Sequence, residues 1–312
     1  MSNDFLFFEP VYLERVWGGN KSRSEFGYDL PSDNIGECWV ITANEIGDCV
    51  CTTDEYKGKT LTWLWENKRE LFGNYDCDRF PLLLKILDAK TDLSIQVHPD
   101  DEYMAKKDPK AWGKTESWYI LNCDEGATVV VGHNARTREE LREMIDSSRY
   151  KELIREVEVH KGDFIQIDAG TIHSIKGGVM ILETQQNSDI TYRVYDYDRL
   201  WNGKLRTLHR EEAKDVTVVP AVKEPAFKTS DTDPIVNLVS CKYYDLFKLN
   251  VKGDLTIDND APFRLVSCIE GSGRVNKKVT LKKGDHFIVP AGIDKLEFNG
   301  EMTLITSVPG KR

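Results

Sequence analysis

Residues 161–175, KGDFIQIDAGTIHSI, and residues 283–296, KGDHFIVPAGIDKL, carry one pattern twice. In both stretches Gly-Asp precedes alternating apolar residues, a turn ends in Ala-Gly, and a second strand follows. Glycine permits the positive φ that a chain reversal requires. Pro290 presets φ ahead of the second turn, where the first copy has Asp168. The pattern predicts two β-hairpins of the same design.

The similarity continues upstream of the hairpins. Cys123–Gly126 ahead of the first copy resembles Cys268–Gly271 ahead of the second, and the interval that follows is longer in the first copy. Such a repeat indicates one structural unit used twice, with an insertion in the first copy. The alternative is a chance likeness of two Gly-Asp hairpins. Most other segments resemble short strands separated by turns, which favours a sandwich or a barrel.

Two segments have helical periodicity instead. The stretch LTWLWENKREL places leucine and tryptophan on one helical face and predicts a helical insertion at about 61–72. A second insertion, at about 137–157, opens with Thr137 followed by Glu140, the capping-box pattern of a helix N-terminus. Its apolar stripe is interrupted near Asp146–Ser148, which predicts two short helices rather than one.

Composition bounds the class of protein. The 312 residues are 40% apolar and 30% charged, and no apolar run is long enough to span a membrane. Seven cysteines without a framework spacing, and an N-terminus without a signal peptide, predict reduced thiols, a cytoplasmic location and no membrane partner. The net charge of −10 argues against a nucleic-acid partner. A small anionic substrate needs only a few basic residues in one pocket.

A polar face interrupts an otherwise apolar strand at residues 93–101, LSIQVHPDD. Because side chains alternate along a strand, Ser94, Gln96 and His98 share one face. Such a face either meets water at a sheet edge or lines a pocket in which it contacts a ligand or a metal. The neighbouring motifs decide between these alternatives.

The first hairpin resembles the second sequence motif of the cupin family, which places glycine, proline, glycine and histidine at fixed intervals. Gly162, Gly170 and His173 match this motif, whereas Lys295 stands at the histidine position of the second copy. The resemblance implies a double-stranded jelly-roll barrel with inward metal ligands. It also implies that the second barrel has no metal site, because an ammonium group is not a ligand.

We therefore predict a mainly β protein of two cupin barrels, with short helical insertions in the N-terminal half. Residues 1–220 would form the catalytic metal-binding domain, and residues 221–312 a C-terminal cupin-like barrel without a metal site. The exposed sheet edges of such a barrel would permit a homodimer.

The first cupin motif usually presents His-x-His and then a glutamate. Here Gln96 and His98 occupy the corresponding place, and Glu116 follows after an inserted loop. With His173 these residues offer two imidazoles, a carboxylate and an amide oxygen. Two imidazoles and a carboxylate suit zinc, with the amide as a weaker fourth ligand.

The inserted loop also resembles that of the type I mannose-6-phosphate isomerases, or phosphomannose isomerases, in their short bacterial form. Further resemblance to this family lies in VWGG (16–19), FPLLLKILDAKTDLSIQ (80–96), GTIHSI (170–175) and ILETQQNSDITYRVYDYDR (181–199). The resemblance implies one zinc ion per chain, held by His98, Glu116 and His173, with Gln96 as the fourth ligand.

The same resemblance places the family's active-site arginine at Arg193. It implies that the substrate pocket is formed by Lys85, Trp17, Ser94, Glu183 and Asp198, with Lys114 beside it. Asp196 is the alternative to Asp198 for the acid that follows the arginine.

The implied reaction interconverts mannose 6-phosphate and fructose 6-phosphate by zinc-assisted proton transfer through an enediolate. It requires an electrophile for the developing oxyanion and a base within reach of the proton on C2. We predict that Arg193 stabilises negative charge at the reacting end. Lys114 would shuttle a proton, if its pKa were depressed, or contact the phosphate.

Three other classes remain open on the sequence. A non-catalytic sugar-binding or regulatory cupin would keep the fold without turnover. A cupin metal dioxygenase would use iron in a similar set of ligands and would depend on oxygen. A nucleotide-sugar epimerase on the same fold would need no metal.

Overall fold

The computed structural model of the protein, which describes residues 5–222 and 230–310, consists mainly of β-strands. The strands up to residue 205 are β1 (Leu6–Glu9), β2 (Val11–Gly19), β3 (Ile35–Ile41), β4 (Ala43–Asn44), β5 (Gly47–Asp48), β6 (Val50–Cys51), β7 (Leu82–Asp88), β8 (Ile95–Val97), β9 (Glu116–Cys123), β10 (Thr128–His133), β11 (Ile154–Glu158), β12 (Phe164–Ile167), β13 (His173–Ile175), β14 (Val179–Gln186), β15 (Tyr192–Tyr195), β16 (Leu200–Trp201) and β17 (Lys204–Leu205). The later strands are β18 (Ile235–Ser240), β19 (Tyr244–Asp258), β20 (Arg264–Val275), β21 (Val279–Lys282), β22 (His286–Val289) and β23 (Lys295–Pro309). The prediction of a mainly β protein is confirmed.

Helices form a smaller part of the chain. They are α1 (Lys21–Phe26), α2 (Leu61–Asn67), α3 (Asp101–Lys107), α4 (Arg138–Asp146), α5 (Tyr150–Leu153) and α6 (Arg210–Val216), with short 3-10 helices at Asp54–Tyr56 and Arg69–Phe72. No helix in the described residues combines the length and apolar character needed to cross a membrane.

The strands assemble into three large antiparallel sheets. One has the order β12-β9-β14-β7-β3-β2, a second β11-β10-β13-β8-β15, and a third β18-β19-β23-β20-β22-β1-β6 with β21 paired to β20. Within the described residues these sheets are open, and no closed barrel is found. The finer prediction, a pair of cupin barrels, is not confirmed by these open sheets, which stack on one another.

Three buried cores hold the layers together. Between the six-stranded and five-stranded sheets, Trp118 and Ile181 of the first pack with Val131 of the second. The opposite face of the five-stranded sheet is covered by helices α4, α5 and α6, which contribute side chains such as Leu141. The opposite face of the six-stranded sheet packs against the eight-stranded sheet, where Phe263 lies. The polar face predicted at residues 94–98 therefore lies at the interior of a sandwich.

The repeated hairpins adopt matching backbone conformations. Gly162 and Gly284 have φ of 94° and 93°, and Gly170 and Gly292 have φ of 85° and 86°. In both copies the aspartate after the first glycine accepts a hydrogen bond from the backbone N–H three residues earlier, at 2.8 Å. The sequence repeat is therefore a structural repeat of the hairpin.

The upstream part of the predicted repeat is wrong in register. Gly162 N donates to Ile120 O at 2.8 Å, and Gly284 N donates to Cys268 O at 2.9 Å. Cys268 thus corresponds to Ile120, not to Cys123. The matching letters had aligned Gly126, which lies in a turn, with Gly271, which lies within β20, rather than the strand positions that pair with the hairpins.

This register places a basic residue at the position of Glu116 in the second copy. Glu116 pairs with the last residue of β12, and Arg264 pairs with the last residue of β22. Arg264 is buried, and its guanidinium donates to Asn259 Oδ1 at 2.9 Å and to Thr306 Oγ1 at 3.1 Å. The second copy therefore holds a guanidinium where the first presents a carboxylate.

The two predicted helical insertions are confirmed, with one correction at an end. Residues 61–72 contain α2 and a 3-10 helix, and residues 137–157 contain α4 and α5. Residues 154–157, however, belong to strand β11, because they pair with β10 at the sheet edge. Thr137 Oγ1 caps α4 by accepting from Glu140 N at 3.2 Å. Arg136 N, rather than Thr137 N, donates to the Glu140 carboxylate, at 2.7 Å.

The first and last parts of the described chain share one sheet. Strand β1 pairs with β22 through Leu6↔Ile288 and Phe7↔Phe287. The predicted domain boundary at residue 220 lies just before residues 223–229, which are outside the described residues. Residues 1–4 of the first predicted domain and residues 311–312 of the second are also outside them.

Candidate active site

A cluster of two imidazoles and one carboxylate lies buried between the six-stranded and five-stranded sheets. His173 begins β13, Glu116 begins β9, and His98 follows β8 directly. Each of the three is at most 1% exposed, and one ligand atom from each lies within 4.8 Å of the others. Glu116 is 3.3 Å from His98 Nε2 and 3.5 Å from His173 Nε2. Three donors at this spacing can surround one small divalent ion.

The neighbours of His173 fix its tautomer. Its Nδ1 donates to Thr171 O at 2.9 Å, so Nε2 carries the lone pair and faces the cluster. The Gln96 amide nitrogen lies 3.2 Å from that Nε2, and the Gln96 oxygen accepts from Ser94 Oγ at 3.1 Å. Gln96 thus borders the cluster through its amide nitrogen, and it would serve as a fourth ligand after the amide turns over.

His98 provides the test of whether the cluster fits a metal. Its Nδ1 has no hydrogen-bond partner among the described residues, and its Nε2 faces Glu116 outside hydrogen-bond geometry. Burial lowers the pKa of His98 to about 3 and also lowers the pKa of His173. Leaving buried polar groups unpaired costs about 1–3 kcal/mol each, and neutral imidazole is the form that binds zinc. The donor set therefore fits a zinc ion.

A cavity of about 240 Å³ opens beside this cluster. One wall comes from neighbouring strands of the six-stranded sheet, where Trp118, Glu183 and Lys85 pair side by side across β9, β14 and β7. The facing wall comes from β8 and β15, where Gln96 pairs with Arg193. The sandwich thus brings together residues that are far apart in the sequence.

Charges of alternating sign run along the first wall. Lys114 Nζ is 2.8 Å from Glu116 and 3.8 Å from Glu183. Lys85 Nζ is 3.6 Å from Glu183 and 3.5 Å from Glu37. The side chains of both lysines are at most 5% exposed. Lys85 Nζ also lies 3.7 Å from Asp189, so Lys114 contacts two carboxylates and Lys85 contacts three.

This arrangement separates the pKa values of the carboxyl groups. Burial and the charge of Glu116 raise the pKa of Glu183 to about 7, against the opposing effect of the two lysines. Burial also opposes ionisation of Glu37, but Lys85 and Arg15 outweigh it and lower the pKa of Glu37 to about 2. At neutral pH, Glu37 is therefore ionised. Glu183 exchanges between its protonated and ionised forms, because its pKa is close to the pH.

Lys114 is held in its charged form. Burial lowers its pKa, but the carboxylates of Glu116 and Glu183 raise it by more, so the net shift is upward. A role for Lys114 as a base would require a lowered pKa, and the shift in this structure is in the opposite direction. Its position favours a role as a fixed cation beside Glu116.

Two family models match the chain. Residues 6–122 match the model described as phosphomannose isomerase type I, catalytic domain, and residues 234–309 match the one described as mannose-6-phosphate isomerase, cupin domain. The mannose-6-phosphate isomerase ManA of Bacillus subtilis is 45% identical over 98% of this chain and 99% of that protein. The chain belongs to the type I phosphomannose isomerase family.

Another member of the phosphomannose isomerase family, the mannose-6-phosphate isomerase of Streptococcus mutans, is 43% identical over 96% of this chain and 98% of that protein. The crystal structure of the mannose 6-phosphate isomerase from Bacillus subtilis superposes with a TM-score of 0.93 at 44% identity, covering 97% of this chain and 99% of that one. The family resemblance inferred from the motifs is therefore confirmed.

In this member of the phosphomannose isomerase family, most predicted site residues come together. The cavity is lined by the predicted residues Trp17, Lys85, Ser94, Gln96, Lys114, Glu116, Glu183 and Arg193. His98 and His173 complete the buried cluster with Glu116.

Asp198 is the exception, and its predicted place in the substrate pocket is wrong. Its side chain is exposed and lies 3.4 Å from Tyr195 OH, outside the cavity. Tyr197 and Asp198 have φ of 57° and 53°, so the chain turns away from the wall at this point. Asp196, the alternative, also lies outside the cavity lining, and it binds the guanidinium groups of Arg199 and Arg206.

Four charged residues of the cavity were not predicted: Arg15, Glu37, Asp189 and Arg206. Glu37 could have been identified from the sequence, because it is a charged residue within the apolar strand IGECWVI at residues 35–41 and shares a face with Trp39. Trp39 Nε1 indeed donates to Glu37 Oε2 at 2.7 Å. Arg15 directly precedes the VWGG motif, and Asp189 and Arg206 lie in polar stretches; nothing in the sequence distinguishes the three from surface residues.

Proposed function

We propose that this chain interconverts mannose 6-phosphate and fructose 6-phosphate. The observation that carries the proposal is the buried cluster of His98, Glu116 and His173 at the floor of a cavity rich in basic residues. Relatives that are 43–45% identical over nearly the whole chain bear the name mannose-6-phosphate isomerase, which supports the substrate.

His98, Glu116 and His173 would hold one zinc ion per chain, with Gln96 as a fourth ligand. When bound, zinc supplies a Lewis acid that polarises the carbonyl and hydroxyl oxygens of the open-chain sugar. The two sheets keep these residues out of bulk water, which strengthens every charge interaction at the floor.

The remaining residues position the sugar and move the proton between C2 and C1. Arg193 would stabilise negative charge at the reacting end, since its Nε is buried without a hydrogen-bond partner among the described residues. Lys114 would act there as a fixed cation. Glu37 is held by hydrogen bonds from Arg15 and Trp39 and by an ion pair with Lys85. Of the cavity carboxyl groups that are not candidate metal ligands, Glu183 and Asp189 would therefore carry the proton.

The direct test is a coupled assay with mannose 6-phosphate before and after chelation, followed by addition of zinc. We expect turnover in the zinc-loaded protein, loss of at least about 100-fold on chelation, and recovery with zinc. Binding of the sugar phosphate without turnover in zinc-loaded protein would instead indicate a non-catalytic sugar-binding cupin. Oxygen consumption that depends on iron would indicate a dioxygenase.

Arg193→Ala tests the residue at the reacting end. We expect kcat to fall by about 100-fold or more, as for loss of a group that stabilises a developing charge, with zinc content unchanged. Arg136→Ala, at an exposed position remote from the cavity, serves as the control. An unchanged kcat with intact zinc would remove Arg193 from the mechanism.

We also propose the domain organisation, the cellular location and the oligomeric state that the sequence leads us to expect. Residues 1–220 would form the catalytic cupin unit and residues 221–312 a second cupin unit without metal, each a jelly roll. The protein would work in the cytoplasm, and its exposed sheet edges would permit a homodimer.

A further inference from the structure

The basic residues of the cavity differ in how well they are neutralised. At the floor, Lys85 and Lys114 are nearly inaccessible and each contacts at least two carboxylates. The side chains of Arg15 and Arg206 are 28% and 18% exposed, which places them toward the mouth. The cavity therefore has a neutral floor and a basic mouth.

At the mouth the carboxylates are fewer than the guanidinium groups: Asp189, whose side chain is 35% exposed, lies there and contacts Lys85 Nζ at 3.7 Å. Arg15 shares Glu37 with Lys85, and Arg206 shares Asp196 with Arg199. Among the described residues, Arg193 between them forms no ion pair. Burial and the positive charges of Arg206 and Arg15 lower the pKa of Arg193, against the opposing effect of Asp196 and Asp189. Such a surplus attracts an anion into a protein whose net charge is −10.

The geometry of Arg206 leaves donors available. Its Nε donates to Asp196 Oδ2 at 2.7 Å and its Nη2 donates to Asp196 Oδ1, so the carboxylate fixes one edge of the guanidinium. Within residues 5–222 and 230–310 the Nη1 group has no hydrogen-bond partner, so it can donate to a ligand. Because Asp196 already fixes the Arg206 side chain, little further conformational entropy is lost when a ligand binds to its remaining donors. A planar guanidinium also matches the oxygen atoms of a phosphate group.

We propose that Arg206 and Arg15 bind the phosphate group of the substrate at the cavity mouth, with C1 and C2 of the sugar directed toward His98 and His173. This inference rests on the proposed function. It assigns phosphate recognition to the mouth arginines and not to Lys114 or Lys85 at the floor. The six-carbon chain would then lie along the wall formed by Glu183 and Lys85.

The test compares Arg206→Ala with Arg199→Ala. Both variants remove a guanidinium from Asp196, but only Arg206 lines the cavity. For Arg206→Ala we expect KM for mannose 6-phosphate to rise by about 10–100-fold, the usual effect of losing a charge-assisted hydrogen bond, with kcat within about threefold. Arg206→Lys, which keeps the charge without the fork, should fall in between, and Arg199→Ala should stay close to the unsubstituted protein.

Inorganic phosphate provides a second measurement that does not depend on turnover. Its dissociation constant, from calorimetry on the zinc-loaded protein, should rise for Arg206→Ala in parallel with KM, whereas inhibition by D-mannose, which has no phosphate, should not change. Equal losses in Arg206→Ala and Arg199→Ala would show that Arg206 merely supports Asp196, and an unchanged KM and phosphate affinity would also overturn the inference. Absence of turnover in the unsubstituted protein would overturn the proposed function instead, and the phosphate measurement would still decide the anion site.

Discussion

At the scale of single residues, Glu116 connects the metal-binding groups to the charges of the cavity wall. It faces His98 and His173 on one side, and it accepts from Trp118 Nε1 at 3.0 Å and pairs with Lys114 on the other. Burial raises its pKa, but Lys114 and the two histidines lower the pKa by more, so Glu116 stays ionised. Its single negative charge is therefore directed at the ammonium group of Lys114 and at any cation that the two histidines would hold.

Glu116→Gln keeps the size of this side chain and removes its charge. We expect zinc content, measured by elemental analysis, to fall well below one ion per chain and isomerase activity to fall by about 1,000-fold or more, because a carboxylate ligand is lost. Glu125→Gln, at an exposed position, is the matched control. Full zinc content in Glu116→Gln would exclude Glu116 from the ligand set.

His286 predicts a pH dependence of stability that is separate from the active site. It is buried, its ring nitrogens contact Ser267 Oγ at 2.8 Å and Tyr28 OH at 2.9 Å, and burial lowers its pKa to about 3. The unfolded chain binds a proton at this residue below a pH of about 6.5, whereas the folded chain does so only near pH 3. Stability is therefore complete above pH 6.5 and falls as the pH decreases toward 3.

His286→Gln removes this titration and retains hydrogen-bonding groups. Between pH 7 and pH 5 the free energy of unfolding of the unsubstituted protein should fall by about 2 kcal/mol more than that of His286→Gln, as measured by urea denaturation. His160→Gln, at an exposed histidine, should behave like the unsubstituted protein. Parallel pH profiles for His286→Gln and the unsubstituted protein would contradict this account.

The residues of the candidate metal site could be predicted because Gln96, His98 and His173 lie in motifs of local spacing, whereas Glu116 follows an inserted loop and was found through the family resemblance. Period-two alternation placed Gln96 and His98 on one face, and the turn motif located His173. Asp189 and Arg206 could not be predicted, because their contacts depend on the folded chain: Asp189 lies 3.7 Å from Lys85 Nζ, and Arg206 pairs with Asp196. Such long-range contacts leave no periodic trace in the sequence.

At the scale of structural elements, the two hairpins offer a matched pair of turn glycines. Gly170 and Gly292 have nearly the same φ, but a Cβ on Gly170 would lie 2.6 Å from Val218 Cγ2 and 2.9 Å from Val216 O, whereas a Cβ on Gly292 would meet nothing within 4 Å. Alanine should cost about 1–2 kcal/mol at Gly292, from backbone strain alone. The added contact with a backbone oxygen makes the cost at Gly170 larger.

Chemical denaturation of Gly170→Ala and Gly292→Ala measures that difference. We expect the free energy of unfolding to fall at least twice as far in Gly170→Ala. Equal losses would mean that the segment at residues 216–218 moves aside freely, and that the hairpin of the first copy is no more constrained than that of the second.

Element types were more predictable than strand register. The helices at 61–72 and 137–157 followed from periodicity and capping, which act over one or two turns of chain. Residues 154–157 became a strand because β10 offered an edge to pair with, and Cys268 aligned with Ile120 because the hairpins set the register. Tertiary contacts decided both outcomes.

At the scale of the whole molecule, the buried core continues across the predicted domain boundary. Phe263, after that boundary, packs among Trp65, Phe72 and Phe80, with ring centroids 5.5–6.1 Å apart. All seven tryptophans lie between residues 17 and 201, so tryptophan fluorescence reports only on the first part of the chain. The protein is expected to unfold as one cooperative unit.

Phe298→Ala tests this cooperativity, because Phe298 is buried in the core of the C-terminal sheet. The substitution should destabilise the protein by about 3–5 kcal/mol. We expect the tryptophan-fluorescence midpoint in urea to shift as far for Phe298→Ala as for Phe263→Ala. An unshifted midpoint for Phe298→Ala would show that the two parts unfold independently.

The pairing of β1 with β22 also has a consequence for synthesis on the ribosome. Phe7 lies opposite Phe287, so β1 leaves the ribosome long before β22 does. Until then, the apolar stretch FLFF at residues 5–8 lacks its β22 neighbour and can recruit strand edges of other nascent chains. The β1–β22 pair of the eight-stranded sheet therefore cannot form until β22 has emerged, and β1 needs shielding until then.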